Sequence, residues 1–523
     1  MAEAPSALNS SQAPRDTGRT LRNVISNWGT YLFTLVVNFF LAPYVVHHLG
    51  DSVYGVWTLI VSLTGYLGLL DFGVRGAVTR YVAKFHTESK SDSVGRVASS
   101  ALVIFSVAGF LALAISLLLA FFALDAFHIP PAYRTTAQIV LILGGASVAV
   151  SLVSGVFGGI IVGLQRFDLL NGIEILITGL RALAIVIALW GGKGLVALAC
   201  IQLVFTAARG LANAGLTFRL YPGLRIRLAA TDRDHLRMIF SFSVYAFLIH
   251  ISVNVIYYTD SVVIGAFLPV SMITFFAIGG NLIEYMRGLL SGISQTMSPL
   301  ASTLEARQDL GGLRDALLTS SRFATMVALP IALTFMLRGG TFIGLWMGPQ
   351  YATLSGQILA ILALMMLFSA AVTPAGSIML GISKHKPIVP VRIAEALCNL
   401  VLSVIWVRTM GVLGVAWGTT IPSLAFSIFY WPWYIHRTLA IRPLSYVVSS
   451  WIRPGVAILP FALCTYAFER LWPASNLAVF FLQVAATLPL ALGGFWLLCF
   501  TQVQRQIYPR HFWQFVTQLF SRS

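Results

Sequence analysis

Charged residues are scarce in this sequence. Asp, Glu, Lys and Arg together make up 10% of the 523 residues, whereas hydrophobic residues make up 58%. Soluble domains carry about 25% charged residues, so the composition excludes an ordinary globular protein. A bilayer-spanning helix needs about 20 apolar residues. Apolar runs of this length recur along nearly the whole chain. They are continuously apolar rather than alternating, which predicts an all-α integral membrane protein rather than a membrane barrel.

Cysteine and the common catalytic motifs are also rare or missing. All four cysteines, Cys200, Cys398, Cys464 and Cys499, fall within predicted spans, so no disulfide framework is indicated. The sequence has no Walker A loop, no HExxH, no GxSxG and no paired-cysteine metal spacing. We therefore predict no cofactor, no metal and no enzymatic activity, and we expect a gradient or a partner to supply any energy.

About fourteen transmembrane helices are predicted, and the basic residues orient them. Of the 34 Lys and Arg residues, five lie in outer loops (Arg338 among them), three lie within spans and 26 lie on the cytoplasmic side. This asymmetry follows the positive-inside rule, so the net charge of +16 indicates topology and contact with membrane lipids, not a nucleic-acid partner. Both termini are predicted to be cytoplasmic. The predicted spans are 22–47, 53–75, 95–123, 135–164, 168–190, 194–219, 239–266, 270–300, 318–338, 353–380, 388–408, 412–437, 448–468 and 476–500.

A basic loop divides the predicted spans into two groups of six. The prediction has a cytoplasmic N-terminal tail at 1–21, an N-lobe at 22–219, the basic cytoplasmic loop at 220–238 and a C-lobe at 239–437. Two further helices follow at 438–500, and 501–523 is an amphipathic cytoplasmic tail suited to the membrane interface.

Ionisable residues inside the spans are the candidate functional residues. Each costs about 2.5–3.5 kcal/mol on insertion scales, so function is the first hypothesis for each of them. All basic residues within spans are Arg, whose planar fork binds phosphate in a bidentate way. The alternative is that neighbouring acids and arginines only neutralise one another. The candidates for substrate binding are Arg287, Arg75, Arg181 and Arg209, and those for ion coupling or gating are Asp71, Asp260, Glu284 and Glu174.

Several segments resemble a known family. Leu49–Trp57, continuing through Gly65–Arg75 to Arg80–Tyr81, resembles the N-terminal signature of bacterial polysaccharide flippases. Asp260–Gly265 and Met297–Ser302 resemble later motifs of the same proteins. These flippases, the O-antigen type included, belong to the multidrug/oligosaccharidyl-lipid/polysaccharide (MOP) exporter superfamily.

The resemblance implies a V-shaped pair of six-helix lobes that alternate between inward- and outward-facing states. It implies transport of sugars linked to undecaprenyl pyrophosphate across the bacterial inner membrane, from the cytoplasmic to the periplasmic leaflet, for O-antigen, capsule or exopolysaccharide assembly. Polymerase or chain-length machinery is then a candidate partner. In this chain, the resemblance would place Asp71, Arg75, Asp260, Glu284 and Arg287 near the cavity. The arginines would then contact the pyrophosphate or acidic sugars, and the acidic residues could couple transport to protons or sodium.

Three alternatives stay open. A drug/cation antiporter of the same superfamily would favour a net acidic cavity, whereas acidic and basic candidates are about balanced here. A membrane-embedded glycan polymerase or ligase generally has a large periplasmic loop, and the predicted outer loops are short. A scaffold in a polysaccharide-assembly complex would not need so many charges within the spans.

Overall fold

Helices make up nearly all of the structure. The computed structural model describes residues 13–226 and 254–500, together with 247, 251, 502, 504 and 505. Its helix content is 89%, and no strand occurs among the described residues. The prediction of an all-α membrane protein is thus confirmed. Most of the basic loop predicted at 220–238 and of the tail predicted at 501–523 lies outside the described residues.

The chain forms two compact units. Unit 1 takes in the described residues of Met1–Tyr258 with Pro269–Ser271, and unit 2 takes in Thr259–Leu268 and those of Met272–Ser523. The boundary falls within the helix at residues 254–267, here α8. The helices before it are α1 (Ala13–Leu49), α2 (Asp51–Leu67), α3 (Val74–Thr87), α4 (Ser91–Leu118), α5 (Arg134–Gly163), α6 (Phe167–Trp190) and α7 (Leu195–Leu220). Those after it are α9 (Ser271–Gln295), α10 (Met297–Ala306), α11 (Leu310–Trp346), α12 (Pro349–Gly381), α13 (Ile388–Met410), α14 (Val412–Ala425), α15 (Trp431–Leu439), α16 (Pro443–Val447), α17 (Arg453–Ala457), α18 (Leu459–Leu471) and α19 (Leu477–Leu498).

Eleven helical segments of the described part are long and apolar enough to cross a membrane. The pair Pro443–Ala457 and Leu459–Leu471, bent by 41°, makes a twelfth if it is one span. The remaining predicted spans are 239–266, which begins outside the described residues, and the region of α9. Helix α9 carries Glu284 and Arg287, and these charges lower its mean hydropathy. The count of fourteen therefore stays a prediction, as does the division into two lobes of six spans.

The second predicted span, 53–75, is not one continuous helix. Helix α2 ends at Leu67, and a 3₁₀ turn follows at Gly68–Asp71. Phe72 and Gly73 then take φ angles of 48° and 75°, in the left-handed region that an α-helix cannot contain. Helix α3 begins immediately afterwards, so Asp71 lies before the first turn of a new helix. The predicted span is supported, because Asp51–Thr87 is long and apolar enough to cross a membrane. Its continuity as one helix was wrong, because an apolar run does not reveal a two-residue break.

The core of unit 1 is built where α3 and α4 pack against α5. Val78 of α3, Phe105 of α4 and Val156 and Ile160 of α5 are all fully buried in one cluster. Removing such side chains from contact with lipid does not by itself drive association, because lipid tails are equally apolar. The close fit of small and branched side chains supplies the dispersion contacts that hold these helices together.

An ion-pair network joins the last helices of unit 2 to α11. Arg338, with 1% of its side chain exposed, donates through Nε to Oε2 of Glu469 at 3.0 Å. It also donates to Gln483 and lies with its guanidinium carbon 4.6 Å from the ring centre of Phe480. Arg338 was predicted in an outer loop, but α11 continues to Trp346. The arginine is therefore a buried residue that connects α11 with α18 and α19.

We expect Glu469→Ala to destabilise the protein by about 3 kcal/mol, because it leaves a buried arginine without its carboxylate. A denaturant titration of the purified protein in detergent micelles would measure the change. The matched control is Asp125→Ala, which removes the partner of Arg134 from an ion pair with half-exposed side chains and should cost at most about 1 kcal/mol. Equal losses for the two variants would contradict the structural role given to the buried network.

Candidate functional site

A cavity of about 660 Å³ in unit 1 brings four of the predicted site residues together. Its wall is formed by the break between α2 and α3 and by parts of α5, α6 and α7. Small residues of α5, among them Gly155, Gly158 and Gly159, open the space. The charged and amide-bearing lining residues are Asp71, Arg75, Glu174, Arg209, Asn213 and Asn254.

The break before α3 positions the first ion pair of this cavity. Phe72 and Gly73 adopt left-handed backbone conformations. The Asp71 carboxylate consequently lies over the first turn of α3 and accepts a hydrogen bond from the Arg75 backbone N–H at 3.2 Å. A carboxylate at the N-terminal end of a helix is also favoured by the helix dipole. The Arg75 Nε lies 3.4 Å from the second carboxylate oxygen of Asp71. Asp71 and Arg75 thus form an ion pair across the break, because Asp71 lies in the 3₁₀ turn and Arg75 in α3.

Gly155 makes room for the guanidinium of Arg75. A Cβ atom built on Gly155 would lie 2.7 Å from Nη2 and 3.0 Å from Nε of Arg75. Any other residue at this position would thus displace the guanidinium. Because the displaced group is the end of a flexible side chain, the helix packing around it need not change. Gly155 therefore determines where the charge of Arg75 lies in the cavity.

The second ion pair connects α6 with α7. Arg209 Nη1 lies 3.3 Å from Glu174 Oε2, and the two side chains are each 37% exposed. Glu174 and Arg181 lie seven residues apart on α6, but Arg181 Nη1 donates to Gln202 Oε1 at 3.0 Å. Among the described residues, Arg181 does not line the cavity. Of the four arginine candidates, Arg75 and Arg209 thus share this cavity.

The two ion pairs make the charged lining of this cavity neutral in sum. Neither pair is deeply buried, since Arg75 is 48% and Asp71 25% exposed. A guanidinium has five N–H donors, of which a carboxylate engages at most two at once. The arrangement can therefore receive an anionic group by exchange, with the carboxylates holding the arginines in place when that group is absent.

A buried carboxylate in unit 2 forms a second candidate site. Asp260 of α8 is 5% exposed, and both of its oxygens lie 2.9 Å from the Thr419 hydroxyl of α14. Asn399 of α13 donates to the same hydroxyl at 2.8 Å. The Asn399 Oδ1 and Ser403 Oγ atoms are buried and have no hydrogen-bond partner among the described residues. Helices α13 and α14 thus provide an amide and a hydroxyl beside the carboxylate of α8.

The other two candidates of unit 2 pair with each other. Arg287 Nη1 lies 2.8 Å from Glu284 Oε1 along α9, and the side chains are 33% and 31% exposed. Arg287 Nη2 also lies 3.7 Å from the sulfur of Met365 on α12. The two residues, three positions apart on α9, therefore form an ion pair with about a third of each side chain accessible.

Sequence reasoning missed the neutral residues of the unit 1 cavity. Asn213 is a buried amide within an apolar span, and such residues are costly unless they are bonded or functional. Asn254 and Gly155 also line the cavity. An amide inside an apolar span, such as Asn213, is visible in the sequence. The sequence prediction nevertheless considered only ionisable residues as candidates. Nothing in the sequence marks Gly155 apart from the other glycines of α5.

The long apolar helices and the charge-lined cavity define a multi-span membrane transporter. The chain belongs to the polysaccharide biosynthesis protein family, whose model matches residues 20–305. The family resemblance that the sequence predicted is thereby confirmed.

Similar proteins and structures agree with this assignment. A Shigella flexneri protein named "Putative O-antigen transporter" is 20% identical over 412 residues, which cover 76% of this chain and 93% of that protein. The inward closed structure of the lipid II flippase MurJ aligns with a TM-score of 0.70 at 14% identity, over 91% of this chain and 98% of that one. An inward-facing multidrug resistance MATE transporter of the MOP superfamily aligns with a TM-score of 0.66 at 16% identity, over 82% and 99%. At these identities the two structures show the fold alone.

We expect Gly155→Ala to lower polysaccharide export about tenfold while the protein remains folded in the membrane. The added Cβ moves the Arg75 guanidinium, and a tenfold loss corresponds to about 1.4 kcal/mol of interaction. The measurement is export in cells that depend on the variant, normalised to the amount of protein. Gly76→Ala is the matched control, because it lines the same cavity but its Cβ would meet nothing within 4 Å. Normal export by Gly155→Ala would show that the position of Arg75 does not matter.

Proposed function

We propose that this protein is a flippase for undecaprenyl-pyrophosphate-linked oligosaccharide. It moves the lipid-linked glycan from the cytoplasmic to the periplasmic leaflet of the bacterial inner membrane by alternating access, for assembly of a surface polysaccharide. Both termini are then cytoplasmic, and polymerase or chain-length machinery receives the product. The single observation that carries the proposal is the unit 1 cavity, in which two arginines are each held by a carboxylate that an anionic group can replace.

The pyrophosphate is the part of the substrate that suits these arginines. Arg75 and Arg209 can each form charge-assisted hydrogen bonds with phosphate oxygens, and such bonds contribute about 1.5–3 kcal/mol. The carboxylates of Asp71 and Glu174 compensate the arginines in the empty state, because an arginine within a membrane span is costly without a partner. Substrate binding is therefore an exchange of anions, in which each arginine has an anionic partner both with and without the substrate.

The volume of the cavity limits which part of the substrate enters. Cavities of about 300–1,000 Å³ hold ligands of drug-like size, and 660 Å³ falls within that range. A pyrophosphate with its first sugars is of this size, whereas an undecaprenyl chain is longer than a membrane is thick. We infer that the polyprenyl chain stays in the lipid while the head group enters the cavity.

The test is the leaflet location of the lipid-linked glycan, read with a probe that cannot cross the membrane. In Arg75→Gln and Arg209→Gln cells we expect glycan to accumulate on the cytoplasmic side and the crossing rate to fall about tenfold or more, because each loses charge-assisted bonds. Lysine variants should recover part of the rate, since lysine keeps the charge but not the planar fork.

Arg166→Gln is the matched control for these variants. Arg166 pairs with Asp168 at 3.1 Å and is 35% exposed, so it resembles the cavity arginines without lining the cavity. We expect normal crossing in this variant. If glycan reached the outer leaflet at the normal rate in cells lacking the protein and any redundant flippase, the proposal would be wrong. Efflux of cationic drugs, the activity of the alternative antiporter, would then be the next assay.

We also propose that Asp260 couples transport to a cation gradient, as a proton or a sodium site. A buried carboxylate beside a hydroxyl suits either ion, because a carboxylate can be protonated and because Na⁺, a hard cation, prefers oxygen ligands. Neutralising such a carboxylate changes the local charge by one unit in a poorly solvated place. Binding and release of the cation at Asp260 can therefore bias the conformation of unit 2.

In proteoliposomes we expect Asp260→Asn to remove the dependence of glycan crossing on the cation gradient, and Thr419→Val to weaken it. A pH gradient without sodium, compared with a sodium gradient at constant pH, identifies the ion. Glu395→Gln is the control, since Glu395 is a buried carboxylate of the same unit that is paired with Arg392 at 2.8 Å. If the Asp260→Asn protein responded to the gradient like the wild type, Asp260 would not be the coupling residue.

A further inference from the structure

The unit 1 cavity has an aromatic surface in addition to its two ion pairs. Phe72 and Phe247 both line the cavity, and their ring centres lie 5.0 Å apart with the ring planes inclined by 54°. Phe72 is one of the two residues with a positive φ at the break before α3. An anion gains little from these rings, because the face of an aromatic ring is electronegative. The aromatic surface therefore suits a different part of a ligand from the part that the arginines suit.

An amide that lines the same cavity has no hydrogen-bond partner. Asn213 of α7 is 9% exposed, and its Oδ1 atom is buried without a partner among the described residues. A side-chain amide offers two donors and an acceptor, and leaving a buried polar group unpaired costs free energy. Gly158 keeps the space before this amide open, since a Cβ built on it would meet only Asn213 Nδ2, at 3.9 Å. The unpaired amide therefore faces a space that a polar ligand can fill.

Both features adjoin the arginines of the cavity. Asn213 follows Arg209 by four residues on α7, and side chains at this spacing are neighbours on one helix face. Phe72 precedes Arg75 by three residues, and both line the cavity. Each arginine thus has beside it a group that suits a neutral, polar ligand. The cavity therefore combines a charged part with a part made of amide and aromatic groups.

We propose that the amide and aromatic part of the cavity binds the sugar that is attached directly to the pyrophosphate. This inference rests on the proposed flippase function, because it assigns a site to the sugar of that substrate. One face of a pyranose ring carries C–H groups, which pack against the electronegative faces of Phe72 and Phe247. Sugar hydroxyls both donate and accept hydrogen bonds, so they can pair with the amides of Asn213 and Asn254.

A polyprenyl chain is the other ligand that could contact the two phenylalanines. It has no hydrogen-bond donor or acceptor, so it would leave the amide of Asn213 unpaired. A sugar uses the rings and the amides together, and its bond to the pyrophosphate holds it next to the group that the arginines bind. Small-molecule sites typically combine aromatic walls with a few placed polar groups in this way. The sugar is therefore the occupant that the lining favours.

The test compares two probes on the purified full-length protein in detergent. Farnesyl pyrophosphate is titrated beside the same compound carrying N-acetylglucosamine on its terminal phosphate, and bound probe is measured by native mass spectrometry. We expect the wild type to bind the sugar-bearing probe about tenfold more tightly. Phe247→Ala and Asn213→Leu should each lower this affinity about fivefold and leave the affinity for farnesyl pyrophosphate unchanged. Phe247→Tyr, which keeps the ring, should bind both probes like the wild type.

The melting temperature separates sugar binding from a structural role of the amide. Asn213 has no partner to lose, so Asn213→Leu should melt at the wild-type temperature or above it. Asn171→Leu is the matched control, because Asn171 is equally buried but donates to Ser26 Oγ at 2.9 Å and to Asn27 Oδ1 at 2.6 Å. This control should melt at a lower temperature and keep the preference for the sugar-bearing probe.

Two results would overturn the sugar site. One is equal affinity of the wild type for the two probes. The other is an equal loss of both probes in Asn213→Leu, because the pyrophosphate or the prenyl group would then be the contact. Failure of the proposed function gives a different result, in which Arg75→Gln leaves the binding of farnesyl pyrophosphate unchanged. The sugar site, which rests on that function, would then be wrong as well.

Discussion

Every charged group that this chain carries into an apolar environment must find compensation inside the protein. Water and counterions are absent from the bilayer core, so a buried guanidinium without a carboxylate would cost several kcal/mol. The described structure meets this constraint with pairs: Arg338 with Glu469, Arg209 with Glu174, and Arg287 with Glu284. These pairs link different helices or adjacent turns, and they therefore influence which helices pack together.

Solvent exposure separates the pairs that hold the fold from those that can take part in transport. Arg338 has 1% of its side chain exposed and is surrounded by an acid, an amide and an aromatic ring. No ligand could reach it without separating α11 from α18 and α19. The pairs of the unit 1 cavity have a quarter to a half of each side chain exposed. The same chemistry thus has a structural role in one unit and leaves a reachable surface in the other.

Much of the fold could be predicted from the sequence, because a span is recognised by its composition. Hydropathy located the helical segments and the acid–base spacing located the pair Glu284 and Arg287. The sequence could not reveal the break at Phe72 and Gly73, which depends on two dihedral angles within an apolar run. It could not pair Glu174 with Arg209, because the contact lies between two helices. It placed Arg338 in a loop because a charge near the end of an apolar run looks like a boundary.

The neutrality of the cavity wall has a consequence for voltage. A membrane potential of 100 mV does about 2.3 kcal/mol of work on each elementary charge that crosses it. Asp71, Arg75, Glu174 and Arg209 sum to no net charge, so a rigid displacement of this wall through the field transfers no net charge. These four residues therefore give the wall no voltage sensitivity of its own, and a dependence of the protein on membrane potential has to arise from charges elsewhere.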